Sequence, residues 1–202
     1  PSAPTGHTPK VTSSAHPVFY GYDEYLAHEE ACNTKNEYLE GQIYAMAGAS
    51  PEHNRLASAA SGLLLPQLLR GRCRAYSSDQ RVRVKATGLA TYPDVTVICG
   101  PIELDDEDPR RHTALNPTLL IEVLSPSTEA YDRGEKFEHY KRIPTLEQYV
   151  LIPPDAPRID VWTRRGDDWI LKSYETGDKA ELAAIGAALE VSTLYEAAAE
   201  PD

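Results

Sequence analysis

Two carboxylates interrupt stretches that otherwise read as buried strands: Asp94 in YPDVTVIC and Glu122 in TLLIEVLS. Nearly continuous apolar runs of this length belong to strands covered on both faces, where a carboxylate is costly unless something pairs with it. Oxygen ligands of this kind suit a hard divalent cation, which takes one or two carboxylates and completes its shell with water. On adjacent strands Asp94 and Glu122 would supply two ligands and the backbone carbonyl of Val123 a third, while Glu37 could hold a second metal or a water of the first. Downstream, Asp132, Lys136 and Tyr140 follow one another at steps of four and share one helix face, with Arg133 beside them. Lys136 brought over the strand ends could orient or deprotonate a water, or stabilise charge on a phosphate in flight. The bland alternatives are a turn cap for Asp94 after Pro93, a surface acid for Glu37 and a solvated lysine at 136.

The elements that must position these groups are legible from hydrophobic spacing. Tyr22 to about Ala31 has helical spacing, and EYLEGQIYAM (Glu37–Met46) places Gly41 between two β-prone arms, as in a hairpin. Ser50–Pro51 is a helix start, and Leu56, Ala60, Leu63, Leu64 and Leu68 mark one apolar face of a long helix ending at Gly71, kinked at Pro66. His53, in its first turn, could touch substrate or metal, although a local hydrogen bond at the helix end is the simpler expectation. Four strands follow, RCRAYS, RVRV, YPDVTVIC and TLLIEVLS, with an acidic loop at 103–113 before the last. Ser125, Ser127 and Thr128 read as a loop and helix cap. Glu129 to Arg142 is helical in pattern and is ended by Ile143–Pro144, and EQYVLI returns as a strand. RIDVWTR and DWILKSYE form a hairpin around Gly166, and an Ala-rich helix closes the chain. The whole predicts an α/β fold: a mixed central sheet flanked by helices, with additional antiparallel strands.

Composition narrows the function classes. The 202 residues are 41% hydrophobic and 25% charged, as in a globular protein. Residues 1–17, rich in Pro, Ser and Thr with Lys10 as the one full charge, read as a flexible arm ahead of a single domain over 18–198. No apolar run approaches a membrane span and no signal-like segment opens the sequence, which points to the cytoplasm. Cys32, Cys73 and Cys99, odd in number and far apart, read as three ordinary thiols rather than a disulfide framework or zinc site. The net charge of −11 argues against a polyanionic partner, but it is concentrated in 103–108 and 175–202. Arg70, Arg72, Arg74, Arg81, Arg83 and Lys85 against Asp79 leave a local basic patch, for which a solvated face is an equally simple account. Asp79 itself reads as a turn or salt-bridge residue.

The order Glu37 in NEYLEG, Asp94 in YPDVTV, Glu122 in IEVLSPST, then DRGEKFEHY and EQYVLI, resembles the Uma-two family of restriction-endonuclease-like proteins over roughly residues 20–195. That family looks like a branch of the PD-(D/E)XK nuclease superfamily, whose members share a mixed sheet between helices and usually cleave DNA with magnesium, or with manganese in its place. By this resemblance Pro93–Asp94 supplies the "PD", Glu122 the acid of "(D/E)XK", and Glu37 the acid ahead of them. The superfamily lysine would fall at Leu124, which cannot do its work, and Lys136 on the following helix is the replacement.

Two function classes follow. One is a magnesium-dependent endonuclease acting on DNA, with Glu37, Asp94, Glu122 and Lys136 as its site. The other is a catalytically inactive protein that keeps the nuclease-like fold as a binding or assembly module, motivated by the missing strand lysine and the net charge. By analogy with small nucleases that cut two strands, a homodimer is expected, with the Ala- and Leu-rich helix packed across the partner.

Overall fold

The structure is a computed structural model, and it describes residues 18–199. The expected N-terminal arm, residues 1–17, lies outside the described residues. Helix α1 (Tyr22–Ala31) leads into a hairpin of β1 (Asn36–Leu39) and β2 (Gln42–Ala45). Its turn carries Glu40 at φ 49° and Gly41 at φ 80°, the two left-handed positions that a tight two-residue hairpin turn requires. Helix α2 (Pro51–Leu68) begins where the sequence places it: the Ser50 hydroxyl accepts from His53 N–H at 3.1 Å, and Pro51 occupies the first turn. It stops at Leu68 rather than Gly71, soon after Pro66, which has no N–H to continue the ladder.

The central sheet runs in the order β11-β10-β9-β8-β6-β3, built from β3 (Cys73–Ser77), β6 (Val95–Cys99), β8 (Leu119–Val123), β9 (Gln148–Ile152), β10 (Arg158–Arg165) and β11 (Asp168–Glu175). Only β8 and β9 pair in parallel, so the sheet is mixed, as expected. The period-two alternation divides its side chains between two cores. Val95, Val97, Leu119, Ile121, Val123 and Val150 face α2 and the C-terminal helix α5 (Val191–Ala198). Leu120, Leu124, Tyr149 and Leu151 face the opposite side, where Phe137 and Tyr140 pack. Leu56, Ala60, Leu64 and Leu68 of α2 are all buried in the first core. The apolar face expected to meet a partner is therefore covered by the protein's own sheet, and Leu65 is the large apolar side chain left exposed on that helix, with Leu69 exposed just past its end.

A second sheet, β2-β1-β5-β4-β7, adds β4 (Arg81–Arg83), β5 (Ala90–Thr91) and β7 (Thr113–Ala114), and a hairpin of β12 (Lys179–Leu182) and β13 (Ala187–Glu190) precedes α5. The segment expected as one helix over 129–142 is two, α3 (Glu129–Arg133) and α4 (Glu135–Tyr140). Gly134 breaks it at φ −112°, ψ −102°. A Cβ at this position would stand 2.9 Å from the Ala130 carbonyl oxygen, so the close turn between the two helices requires glycine.

The cysteines differ from expectation. Register places Cys73 of β3 directly opposite Cys99 of β6, with Cα atoms 3.9 Å apart, and the two form a disulfide while Cys32 is free. Twenty-six residues of separation concealed a cross-strand neighbour pair. Among the described residues no helix is long and apolar enough to cross a membrane.

Candidate active site

The residues singled out from the sequence converge where β6 starts and β8 ends. Asp94 immediately precedes β6, and its Oδ2 accepts from Val123 N–H at 2.7 Å, binding the two strands together beyond their last paired residues. Glu122 Oε2 lies 3.4 Å from Asp94 N, and its Oε1 accepts from the Tyr140 hydroxyl at 2.8 Å. A residue in an extended strand turns its N–H and C=O to the same side, so the Val123 carbonyl points, like its N–H, toward Asp94.

Lys136 arrives from α4 on the opposite core face. Its Nζ stands 3.0 Å from Glu122, 3.2 Å from Asp132 and 3.3 Å from Glu37. The four-residue spacing survives the break at Gly134 closely enough for Asp132, Lys136 and Tyr140 to reach the same cluster. Leu124, where the resemblance would have placed a lysine, is buried in the second core with Phe137 and Tyr140. Glu37 on β1 is held by the Thr91 hydroxyl as well as by Lys136. Asp132 receives no proton donor from Arg133, which instead pairs with Glu129 at 2.7 Å and Asp160 at 2.9 Å.

His53 is the site residue that sequence reasoning underrated. Its backbone N–H makes the local bond to Ser50, but its imidazole Nε2 lies 3.2 Å from Asp94 Oδ2. The signal was the Ser50–Pro51 helix start, which fixes residue 53 one turn inside the helix; which strand that turn faces is a long-range fact. Tyr131 adds a ring 5.8 Å from Lys136 Nζ.

Carboxylates outnumber cations here: Glu37, Asp94, Glu122 and Asp132 share Lys136 and His53. Burial pushes the Glu122 carboxyl up to about 8, Lys136 opposes the rise, and the charges of Asp132 and Asp94 add to it. Burial alone would lower the Lys136 pKa, but the surrounding charges, Glu122 foremost, outweigh it and hold the ammonium well above the usual lysine range. The hydrogen bond to Asp94 raises His53 above its ordinary value against the effect of burial. Asp94 and Glu37 are the more open of the carboxylates, with side chains 15% and 14% exposed. The all-oxygen set of Asp94, Glu122 and the Val123 carbonyl, with this surplus of negative charge, fits a hard divalent cation.

The tightest acidic group lies elsewhere: Asp105, Asp106 and Glu107 in the acidic loop. Its acids are already paired. Arg83 pairs with Asp105 at 2.7 Å and Glu107 at 3.1 Å, Lys85 with Asp106 at 2.6 Å, and Arg81 with Asp108 at 3.0 Å. Half of the expected basic patch is consumed by the acidic loop. Arg70, Arg72 and Arg74 are exposed, but Arg70 and Arg72 follow the end of α2 opposite to His53, about 25 Å away along an 18-residue helix. Asp79 is the salt-bridge residue expected, 2.7 Å from Lys35.

Residues 22–193 match the family described as Uma2, "Putative restriction endonuclease". The chain belongs to the Uma2 family. Among its relatives are two uncharacterized proteins of Synechocystis. One, slr1290, is 39% identical over 176 residues, covering 86% of this chain and 90% of the relative. The other, sll1609, is 36% identical over 160 residues, covering 79% and 89%. The fold is also that of a crystal structure from Anabaena variabilis, titled a putative nuclease belonging to DUF820. It superposes with a TM-score of 0.71 over 91% of this chain and 100% of the other, at 18% identity. The Uma2 assignment and the shared fold make this a nuclease-like protein, with the mixed sheet between helices that the resemblance implied.

Proposed function

We propose that this Uma2 protein is a divalent-cation-dependent endonuclease of the PD-(D/E)XK type that hydrolyses phosphodiester bonds in DNA. One observation carries the reading: Lys136 Nζ lies 3.0 Å from Glu122 although it comes from α4 rather than from β8. The acid–lysine pair that Leu124 would break is rebuilt in space by a lysine twelve residues beyond it.

Asp94, Glu122 and the Val123 carbonyl would hold magnesium or manganese, with Glu37 at the open side as a further carboxylate. The cation, when bound, supplies the positive charge that stabilises a phosphoryl group in transfer. Lys136, kept protonated by its three carboxylate neighbours, serves as a fixed charge that orients the attacking water and the phosphate, not as a base. His53 fixes the Asp94 carboxylate from one side while Val123 N–H fixes it from the other. Tyr140 and Thr91 do the same for Glu122 and Glu37.

Plasmid cleavage with magnesium or manganese tests the proposal. Glu122→Gln keeps the Tyr140 hydrogen bond and the shape of the site, so it is expected to lose cleavage while melting close to the parent temperature. Cleavage at the parent rate would remove Glu122 from the site. A second reading, a binding module on an inactive nuclease fold, is favoured by one observation: the acidic loop neutralises Arg81, Arg83 and Lys85, which would otherwise attract a phosphate backbone. Cation binding without cleavage of any nucleic acid would select it.

A further inference from the structure

Strand β11 (Asp168–Glu175) is the outer strand of the six-stranded sheet, and among the described residues no strand pairs with its far side. It runs for eight residues without proline. Ile170 and Leu171 are consecutive, so they point to opposite faces of the sheet, yet they are 57% and 42% exposed. Natural edge strands of this length are ordinarily shortened, bulged, covered or charged, and the charges of β11, Asp168 and Lys172 among them, are of both signs.

The backbone determines which residues can pair outward. Arg164 N–H donates to Glu147 O at 2.8 Å, so the even-numbered residues of β10 turn their backbone groups toward β9 and the odd-numbered ones toward β11. Register sets Val161 opposite Lys172, Thr163 opposite Ile170 and Arg165 opposite Asp168, which occupies the backbone groups of those three β11 residues. The N–H and C=O of Trp169, Leu171 and Ser173 therefore point away from the sheet.

We propose that β11 pairs antiparallel with β11 of a second copy of this chain, with Ile170 on the two-fold axis. Antiparallel self-pairing must match outward-facing residues with outward-facing residues, which allows only registers centred on a residue. Centring on Lys172 puts two ammonium groups opposite each other, and centring on Leu171 puts Asp167 opposite Glu175. Centring on Ile170 puts Asp168 opposite Lys172 of the partner subunit on both sides of the axis. On the same face Ile170 meets its own copy. On the other face Leu171 meets Trp169 of the partner subunit, and each such pair exchanges both backbone hydrogen bonds. The charges, the apolar residues and the backbone parity select the same register, and the two central sheets join into one.

The oligomeric state of the full chain, measured by sedimentation across micromolar concentrations, tests this. The parent is expected to be a dimer. Asp168→Lys and Lys172→Asp, each on an exposed side chain, are expected to give folded monomers, because each places like charges opposite one another twice. The double variant Asp168→Lys/Lys172→Asp is expected to recover the dimer. Leu171→Pro, which removes an outward N–H from an edge strand and none from the β10 ladder, is expected to be a folded monomer as well. A monomeric parent, or a dimer indifferent to the single charge reversals, or a double variant that stays monomeric, would overturn the proposal.

Discussion

Two buried ionic clusters, both built from residues that stood out in the sequence, have opposite electrostatics. Around β4, each buried acid has its own partners. Asp108 accepts from Arg81, the Thr113 hydroxyl and His112 N–H, which outweigh burial and hold its carboxyl below the usual range. Around the end of β8, four carboxylates share one lysine and one histidine, and Glu122 is pushed in the opposite direction, up to about 8. A cluster in which each buried acid already has an arginine of its own is a means of holding a loop to a sheet. One whose acids share too few cations suits the divalent cation proposed above. Proximity of acids does not separate the two cases, since among the described residues the three acids gathered closely enough for one ion belong to the β4 cluster; whether each buried acid has a cation of its own does.

The largest effect is expected at Lys136. Lys136→Leu is expected to reduce cleavage by about a hundredfold or more, the size of effect seen when one preorganised charge is removed from a transition state. Adding Leu124→Lys to that variant is expected to restore part of the rate, because residue 124 lies two positions beyond Glu122 on the same strand face. Failure of the second change to restore any cleavage would mean that the site needs the lysine on α4 for more than its charge.

In the β4 cluster, Arg83→Met leaves Asp105, whose side chain is wholly buried, without its closest partner. Thermal or denaturant unfolding is expected to show a loss of about 3 to 5 kcal/mol, as when one member of a buried pair is removed. Cleavage per folded molecule should stay at the parent level. A loss of activity without loss of stability would make the acidic loop part of the site.

The smallest effect concerns pH. Glu122 binds its proton more tightly folded than unfolded, so between its ordinary value of 4.5 and about 8 the folded state holds more protons, and stability should fall as pH rises through that window. The Asp108 shift has the reverse sign: its contribution is present at neutral pH and fades as pH drops below the ordinary carboxylate value. Melting curves of the parent and Glu122→Gln from pH 5 to pH 8 separate the two, because the glutamine variant should lack the decline at the upper end. Parallel curves would remove the Glu122 contribution.

Much of the site was legible because each element advertised it locally. Asp94 and Glu122 were visible as acids interrupting apolar runs of sequence, and Lys136 through a four-residue spacing that survived even though the expected helix breaks at Gly134. The hairpin turn at Glu40–Gly41 and the α2 start at Ser50–Pro51 follow from local backbone chemistry. What could not be read depends on contacts between distant segments. The basic run 81–85 and the acidic run 103–108 were two separate features until β4 and β7 paired in parallel and brought them together. His53 needed the α2 packing direction, and Cys73–Cys99 needed the β3–β6 register.

On the proposed reading the cation-poor cluster at the end of β8, and not the acidic loop, takes the metal. Calorimetric titration with magnesium and with manganese tests it on four proteins: the parent, Asp94→Asn, Glu122→Gln and Asp105→Asn. Binding is expected in the parent and in Asp105→Asn, and its loss in Asp94→Asn and Glu122→Gln. Binding that survives both site substitutions, or that disappears with Asp105→Asn alone, would contradict it.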